Sequence, residues 1–235
     1  MKKNSGFTLV ELMITMAMTG IIVGAVYSTY VIQKKSSIAQ EQVVEMQQNL
    51  RAATITMVQE LRMAGYDPTT NAGATVVAPT APATAVSSFS FQQDLDGDGA
   101  LTSTSENVSY GFAAADDADG DGIVDSGFAS LGRNTGGGLQ PIAENIQAIE
   151  FLYTLKDYST TTTPTAADFS DIRTATISIL AAASQRDAKF INSTVYVPAS
   201  GNVWDLNGAT AGTAPNDSFR RRLLITTVQC RNMGL

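Results

Sequence analysis

Hydrophobic and polar positions divide the chain into three regimes. From Phe7 to Ile32 every residue is apolar, small or hydroxylic except Glu11. At 1.5 Å per residue such a run, as a helix, is long enough to cross a hydrocarbon core of ~30 Å. After Ile32 polarity rises but helical spacing persists. Ala39, Val43, Met46, Leu50, Ala53, Met57, Leu61 and Ala64 advance in steps of three or four, drawing one apolar stripe. Glu41, Glu45, Gln48, Arg51 and Arg62 fill the opposite side. Gly65 suits the position after a helix end, and Pro68 prevents continuation. One helix from Phe7 to Ala64 is therefore expected.

The third regime is dominated by short alternations. Asp67 to Ser87, rich in Thr, Ala and Pro, reads as a loop. Phe89 and Phe91 alternate, and Val108 to Phe112 follow an acidic turn, which predicts a hairpin. Phe128 to Arg133 predicts a short strand before the turn Gly136-Gly137-Gly138. Ile149, Phe151, Tyr153 and Leu155 predict a core strand, Ala175, Ile177 and Ile179 another, and β-branched Ser193 to Val197 a further one. Leu223 to Val228 closes the sheet. A helix followed by many antiparallel strands is an α+β plan: a long N-terminal helix, membrane half plus amphipathic half, packed on an antiparallel β-sheet domain.

Composition narrows the chemistry. The chain has 235 residues, a formal net charge of −7 and no histidine, which excludes Ser-His-Asp and Cys-His catalysis and histidine-ligated metals. Its one cysteine, Cys230, lies in an apolar strand pattern and forms no intrachain disulfide. The acidic balance argues against a broad nucleic-acid footprint, so no nucleic-acid partner is expected. Arg220-Arg221-Arg222 is the one basic run, and in a strand its side chains alternate between faces. Neither a G-x-G-x-x-G nor a Walker pattern occurs. An enzyme is not expected.

Two loops carry candidate chemistry. Asp94-Leu95-Asp96-Gly97-Asp98-Gly99 places oxygens at positions one, three and five and glycine at six, the opening of an EF-hand-type calcium loop. Thr102 falls at position nine. Position twelve is Ser105, and Glu106 comes one residue late, so the loop is either EF-like with Glu106 recruited by a shifted backbone, or a weaker site. Asp117-Ala118-Asp119-Gly120-Asp121-Gly122 repeats the pattern, with Asp125 at position nine, the non-ligating Phe128 at twelve and Asp116 as a spare carboxylate. Ca²⁺ is the expected ion, at one site per loop or one shared site. The alternative is a pair of solvated Asp-Gly turns.

The N-terminus carries a more specific pattern. Gly6-Phe7-Thr8-Leu9-Val10-Glu11-Leu12, after a short leader with Lys2 and Lys3, resembles the class III signal of type IV pilins and type II secretion pseudopilins. The resemblance implies cleavage between Gly6 and Phe7 by a prepilin peptidase, N-methylation of Phe7, and an assembly role for Glu11. Gln140 to Ile146 and the segment Arg220 to Val228 are similar to PilW-like minor pilins and the related J-type pseudopilins. The domains expected are a leader at 1–6, a transmembrane and assembly helix at 7–32, its amphipathic half at 33–65, and an extracytoplasmic β-rich domain at 66–235. Lys34 and Lys35 balance Lys2 and Lys3, so orientation rests on the resemblance.

By resemblance, then, the protein is expected to be a minor pilin that acts in type IV pilus assembly at or near the tip. It would sit in the inner membrane with a periplasmic domain, then pass to the fibre at the cell surface. Its partners would be other pilins, the prepilin peptidase and the inner membrane. The alternatives are a J-type minor pseudopilin of a type II secretion system and a membrane-anchored calcium-dependent adhesin or ligand-binding tip protein.

Overall fold

The computed structural model describes residues 6–80, 83–207 and 214–233. Met1–Ser5 of the expected leader lie outside them. The chain divides into two compact units, Met1–Gln42 and Val43–Leu235. Helix α1, Leu9–Leu61, supplies most of the first unit and enters the second.

In the first unit the large apolar side chains of α1 are exposed in every direction, from Leu9 through Ile32. By length and composition the helix suffices to cross a membrane. It starts two residues later than the apolar pattern, because Thr8 caps it: the Glu11 N–H donates to Thr8 Oγ1 at 3.3 Å and the Leu12 N–H to Thr8 O at 3.2 Å.

In the second unit the stripe becomes core. Met46, Leu50, Ala53, Met57, Leu61 and Ala64 are all buried. Regular helix ends at Leu61, three residues before the expected end, and a turn follows. Gly65 takes the left-handed φ of 76° expected after a helix end, and its N–H donates to Gln92 O at 3.0 Å. A Cβ on Gly65 would also lie 2.6 Å from Met233 Sδ.

Opposite the stripe stands one antiparallel sheet. Its strands are β1 (Val76–Val77), β2 (Phe89–Gln92), β3 (Asn107–Gly111), β4 (Ala129–Asn134), β5 (Leu139–Leu155), β6 (Thr160–Thr161), β7 (Ile172–Ala182) and β8 (Arg221–Gln229). The order is β1-β2-β3-β4-β5-β7-β8, with β6 on the flank of β5. The expected hairpin pairs Phe89 with Tyr110 and Phe91 with Val108. β5 is longer than its alternation suggests. Asn145 adopts a φ of 57°, and the register shifts beside it, so β5 serves β4 with its first half and β7 with its second. Phe89, Phe91, Phe151 and Tyr153 are fully or nearly fully buried, with Phe89 stacked on Tyr153 at 5.6 Å between ring centroids. Cys230 is buried, and burial pushes its thiol up to about 12.

One polar clamp crosses this core. Glu60, in the last turn of α1, accepts a bond from Arg133 Nε at 2.8 Å and another from the Tyr110 hydroxyl. Burial and the neighbouring Glu60 carboxylate both push the Tyr110 phenol upward, keeping it a donor.

Ser193 to Val197 does not form the expected strand. Asn192 makes an isolated bridge to Asp217, and its side chain donates to Tyr196 Oη and Phe219 O, both at 3.0 Å. Tyr196 packs with Trp204, Leu180 and Ala148 in a second cluster on the other sheet face. The β-branched composition here covers a sheet face rather than adding a strand.

Truncating the stripe should test this core. Leu61→Ala should cost roughly 2–5 kcal/mol, and Ile55→Ala, at a half-exposed position, less than about 1 kcal/mol. Denaturant titration of the detergent-solubilised chain, followed by Trp204 fluorescence, measures both; equal effects would contradict the stripe's role.

Candidate functional site: two acidic loops and the helix start

The first acidic loop links β2 to β3. The Asp94 N–H donates to Tyr66 O at 2.7 Å, which ties the loop to the chain leaving α1. Both Asp94 oxygens turn inward: Oδ1 accepts the Gly97 N–H at 2.7 Å and Oδ2 the Gly99 N–H at 3.1 Å. Gly97 and Gly99 hold φ of 71° and 79°, a conformation that disfavours side chains. Asp96 accepts the Asp98 N–H, and Asp98 the Ala100 N–H. The late carboxylate is brought in by a short 3₁₀ turn, Thr104–Glu106. Glu106 Oε2 accepts the Ser103 N–H at 2.8 Å. Asp94, Asp96 and Glu106 thus place oxygens within 4.8 Å of one another. Asp98 and Thr102 lie exposed in the same loop.

The second loop lies between β3 and β4. Gly120 and Gly122 carry φ of 71° and 86°. Asp117 Oδ2 accepts the Gly122 N–H at 3.2 Å, and Asp121 the Ile123 N–H at 2.7 Å. A Cβ on Gly122 would meet Ile149 O at 2.3 Å, so only glycine allows the loop to press on β5. There the Ile149 N–H donates to Gly122 O at 2.8 Å. Asp117, Asp119 and Asp121 offer oxygens within 4.8 Å of one another, and Asp125 Oδ2 accepts the Ala118 N–H at 2.9 Å. The carboxylates form two separate groups, one per loop.

Each group contains one buried carboxylate oxygen without a hydrogen-bond partner among the described residues: Glu106 Oε1 and Asp117 Oδ1. An unpaired buried acceptor is costly, and beside further carboxylates the cost rises. Burial pushes Asp117 up to about 6, with Asp121 and Asp119 adding repulsion, and burial raises Asp121 as well. A cation bound by oxygen would remove both penalties. The donors are carboxylate, hydroxyl and carbonyl oxygens, which suit a hard divalent ion.

At the other end of the chain, Gly6 and Phe7 precede the helix. Phe7 is 86 % exposed, and a Cβ on Gly6 would meet nothing. Glu11 lies in the first turn. Its Oε2 accepts the Thr8 N–H at 2.9 Å and the Thr8 hydroxyl at 3.0 Å, while Thr8 Oγ1 accepts the Glu11 N–H. This reciprocal capping box gives Thr8 a role absent from the expectations above. The spacing Thr-x-x-Glu before an apolar run is its sequence signal.

Comparison with known proteins gives three findings. The family model of the prokaryotic N-terminal methylation motif matches residues 1–27. No curated protein matches the chain. Among solved structures, a type IV-like pilin from Thermus thermophilus aligns at 17 % identity with a TM-score of 0.44, covering 80 % of this chain and 97 % of that one.

Asp117 gives a pH signature. A carboxyl raised in the folded state stabilises fully below its ordinary range, and that stability is lost as pH rises through about 6. With chelator present, the melting temperature of the full chain should fall between about pH 4 and 7. Excess Ca²⁺ should remove the fall, and Asp117→Asn should reduce it in chelator, leaving the part that the raised Asp121 contributes. A profile unaffected by Asp117→Asn would contradict the assignment.

Proposed function

We propose that the chain is a structural minor pilin, PilW-like, that enters a type IV pilus at or near its tip and whose globular unit carries bound Ca²⁺. The observation that carries the first part is the methylation motif over residues 1–27, on an exposed Gly6-Phe7 junction before a helix whose residues as far as Ile32 are uncharged except for Glu11. On this reading 1–6 is a leader, 7–32 the membrane and assembly segment, 33–65 its amphipathic continuation and 66–235 a periplasmic domain. A prepilin peptidase cuts between Gly6 and Phe7, and the partners are other pilins in the inner membrane and then in the fibre. Tyr27 and Tyr30, both exposed, fall where an aromatic belt would meet the outer headgroups.

Glu11 is the one charged residue between Phe7 and Ile32. Its carboxylate guides docking by pairing with the amine of Phe7 on a neighbouring subunit, where lipid solvates neither charge. The capping box makes a clean test possible. Glutamine preserves the box but removes the charge. Glu11→Gln should therefore leave insertion and methyl-Phe7 unchanged by mass spectrometry, while immunoblots of sheared fibres show reduced incorporation. Glu11→Asp should restore part of it. Wild-type incorporation of the glutamine variant, or an intact Met1 N-terminus beside an active peptidase, would overturn this reading.

For the ion, the carrying observation is the pair of unpartnered buried oxygens, Glu106 Oε1 and Asp117 Oδ1. Asp94, Asp96, Asp98 and Glu106, with Thr102, would hold one ion. Asp117, Asp119, Asp121 and Asp125 would hold a second. Binding to the native state raises stability by mass action, about 2.7 kcal/mol at a hundredfold excess over Kd. Ca²⁺ should thus raise the melting temperature of the chelated full chain, and Glu106→Gln should weaken the heat of one site in titration calorimetry. No heat at millimolar Ca²⁺ would return both loops to plain turns.

A further inference from the structure

The sheet covers the flank of one long strand and leaves another bare. Beyond β4, the flank of β5 is occupied in turn by Gly122, whose carbonyl accepts the Ile149 N–H, by Val86, whose carbonyl accepts the Phe151 N–H at 2.9 Å, and by β6. β8 ends the sheet order, with β7 on one side. Two bonds at its ends fix which backbone groups face β7. The Ala183 N–H donates to Arg220 O at 2.8 Å, and the Cys230 N–H to Arg173 O at 2.9 Å. The register between them runs without a shift from Thr174 opposite Gln229 to Ala182 opposite Arg221. Residues 222, 224, 226 and 228 therefore bond to β7. Arg221, Leu223, Ile225 and Thr227 turn their N–H and C=O groups outward, and no backbone group among the described residues takes them.

Beyond Arg221 and Arg222 at its first end, this edge lacks the usual protection. β8 has nine residues, no proline, no lysine and no bulge. Beside it a groove of about 240 Å³ opens between α1 and β8. Leu50, Ile55 and Leu224 line it, together with Arg51 and Arg222. Asp187 holds Arg220 at 2.8 Å, and Asp217 holds Arg221 at 2.5 Å. Arg51 and Arg222 have no ion pair or hydrogen bond among the described residues. Two free guanidinium groups at one groove, in a chain of net charge −7, complement a carboxylate.

We propose that β8 is an acceptor edge for an extended segment of another protein chain. That segment is apolar at alternate positions and carries a carboxylate on the face that enters the groove. Its backbone would bond to the outward groups of Arg221 to Thr227 and extend the sheet by one strand. Its apolar side chains would sit against Leu50, Ile55 and Leu224, and its carboxylate between Arg51 and Arg222 would set the register. The inference concerns the globular unit and holds whether or not the chain enters a fibre.

The probe is a blocked heptapeptide in which threonine alternates with valine, glutamate and valine. Added to the detergent-solubilised full chain, it should slow amide hydrogen exchange at Leu223, Ile225 and Thr227, while Leu224 and Thr226 stay as protected as before. Arg222→Glu should weaken its binding about tenfold. Ile225→Pro removes an outward N–H without touching the β7 ladder, so it should abolish the protection at an unchanged melting temperature. If that variant fails to fold, the Arg222→Glu comparison decides. Absence of edge protection at saturating peptide, or equal protection by the peptide with lysine for glutamate, would overturn the proposal. So would binding of a short oligodeoxynucleotide, in place of the peptide, that Arg222→Glu abolishes.

Discussion

The second unit depends on one contact surface, the stripe from Met46 to Ala64 laid on the sheet. A chain with one cysteine has no intrachain cross-link to hold these layers together. Apolar burial must do it, and the small Ala53 and Ala64 keep the backbone of this segment close to the strands. The clamp at Glu60 adds direction, because its carboxylate bonds to one residue on β3 and another on β4. The helix end then places the first acidic loop. The Gly65 N–H bonds to Gln92 O and the Asp94 N–H to Tyr66 O, so the loop starts from an anchored backbone.

The acidic loops show how a fold supports concentrated charge. Each aspartate that opens a loop is buried, and amides of the glycine-rich turns bond both oxygens of Asp94 and Oδ2 of Asp117. Amides alone leave two oxygens unmatched, one per loop. The glycines at φ near 70–90° are what let alternate carboxylates converge. The second loop has a further structural task, since it also covers the flank of β5.

Much of this architecture was legible in residue order. The helical stripe, the hairpin of Phe89 and Val108, and the alternating strands around Ile149 and Ile177 follow from period alone. Residue order offered Glu106 as a late carboxylate but did not decide whether the backbone turns it inward; the 3₁₀ turn Thr104–Glu106 sets it beside Asp94 and Asp96. Other features were hidden for identifiable reasons. Ser193 to Val197 has strand composition, but Asn192 engages the local polar groups before a ladder can form. The bend of β5 at Asn145 falls inside a continuous-looking strand. The separation of Arg222 from its two neighbours needed tertiary structure, since sequence shows alternation but not which aspartates lie opposite.

The continuity of α1 has a mechanical consequence. Tension applied at the first unit reaches the second through the backbone of one helix, because α1 runs from Leu9 to Leu61 without a break. Pulled along its axis, the buried segment is loaded in shear. Met46, Leu50, Ala53, Met57 and Leu61 must then slip together rather than peel away in sequence. The Glu60 bonds to two strands resist the same displacement. Resistance to extraction is thus set by the height of an unfolding barrier rather than by equilibrium stability, and it grows with the length of the stripe in contact.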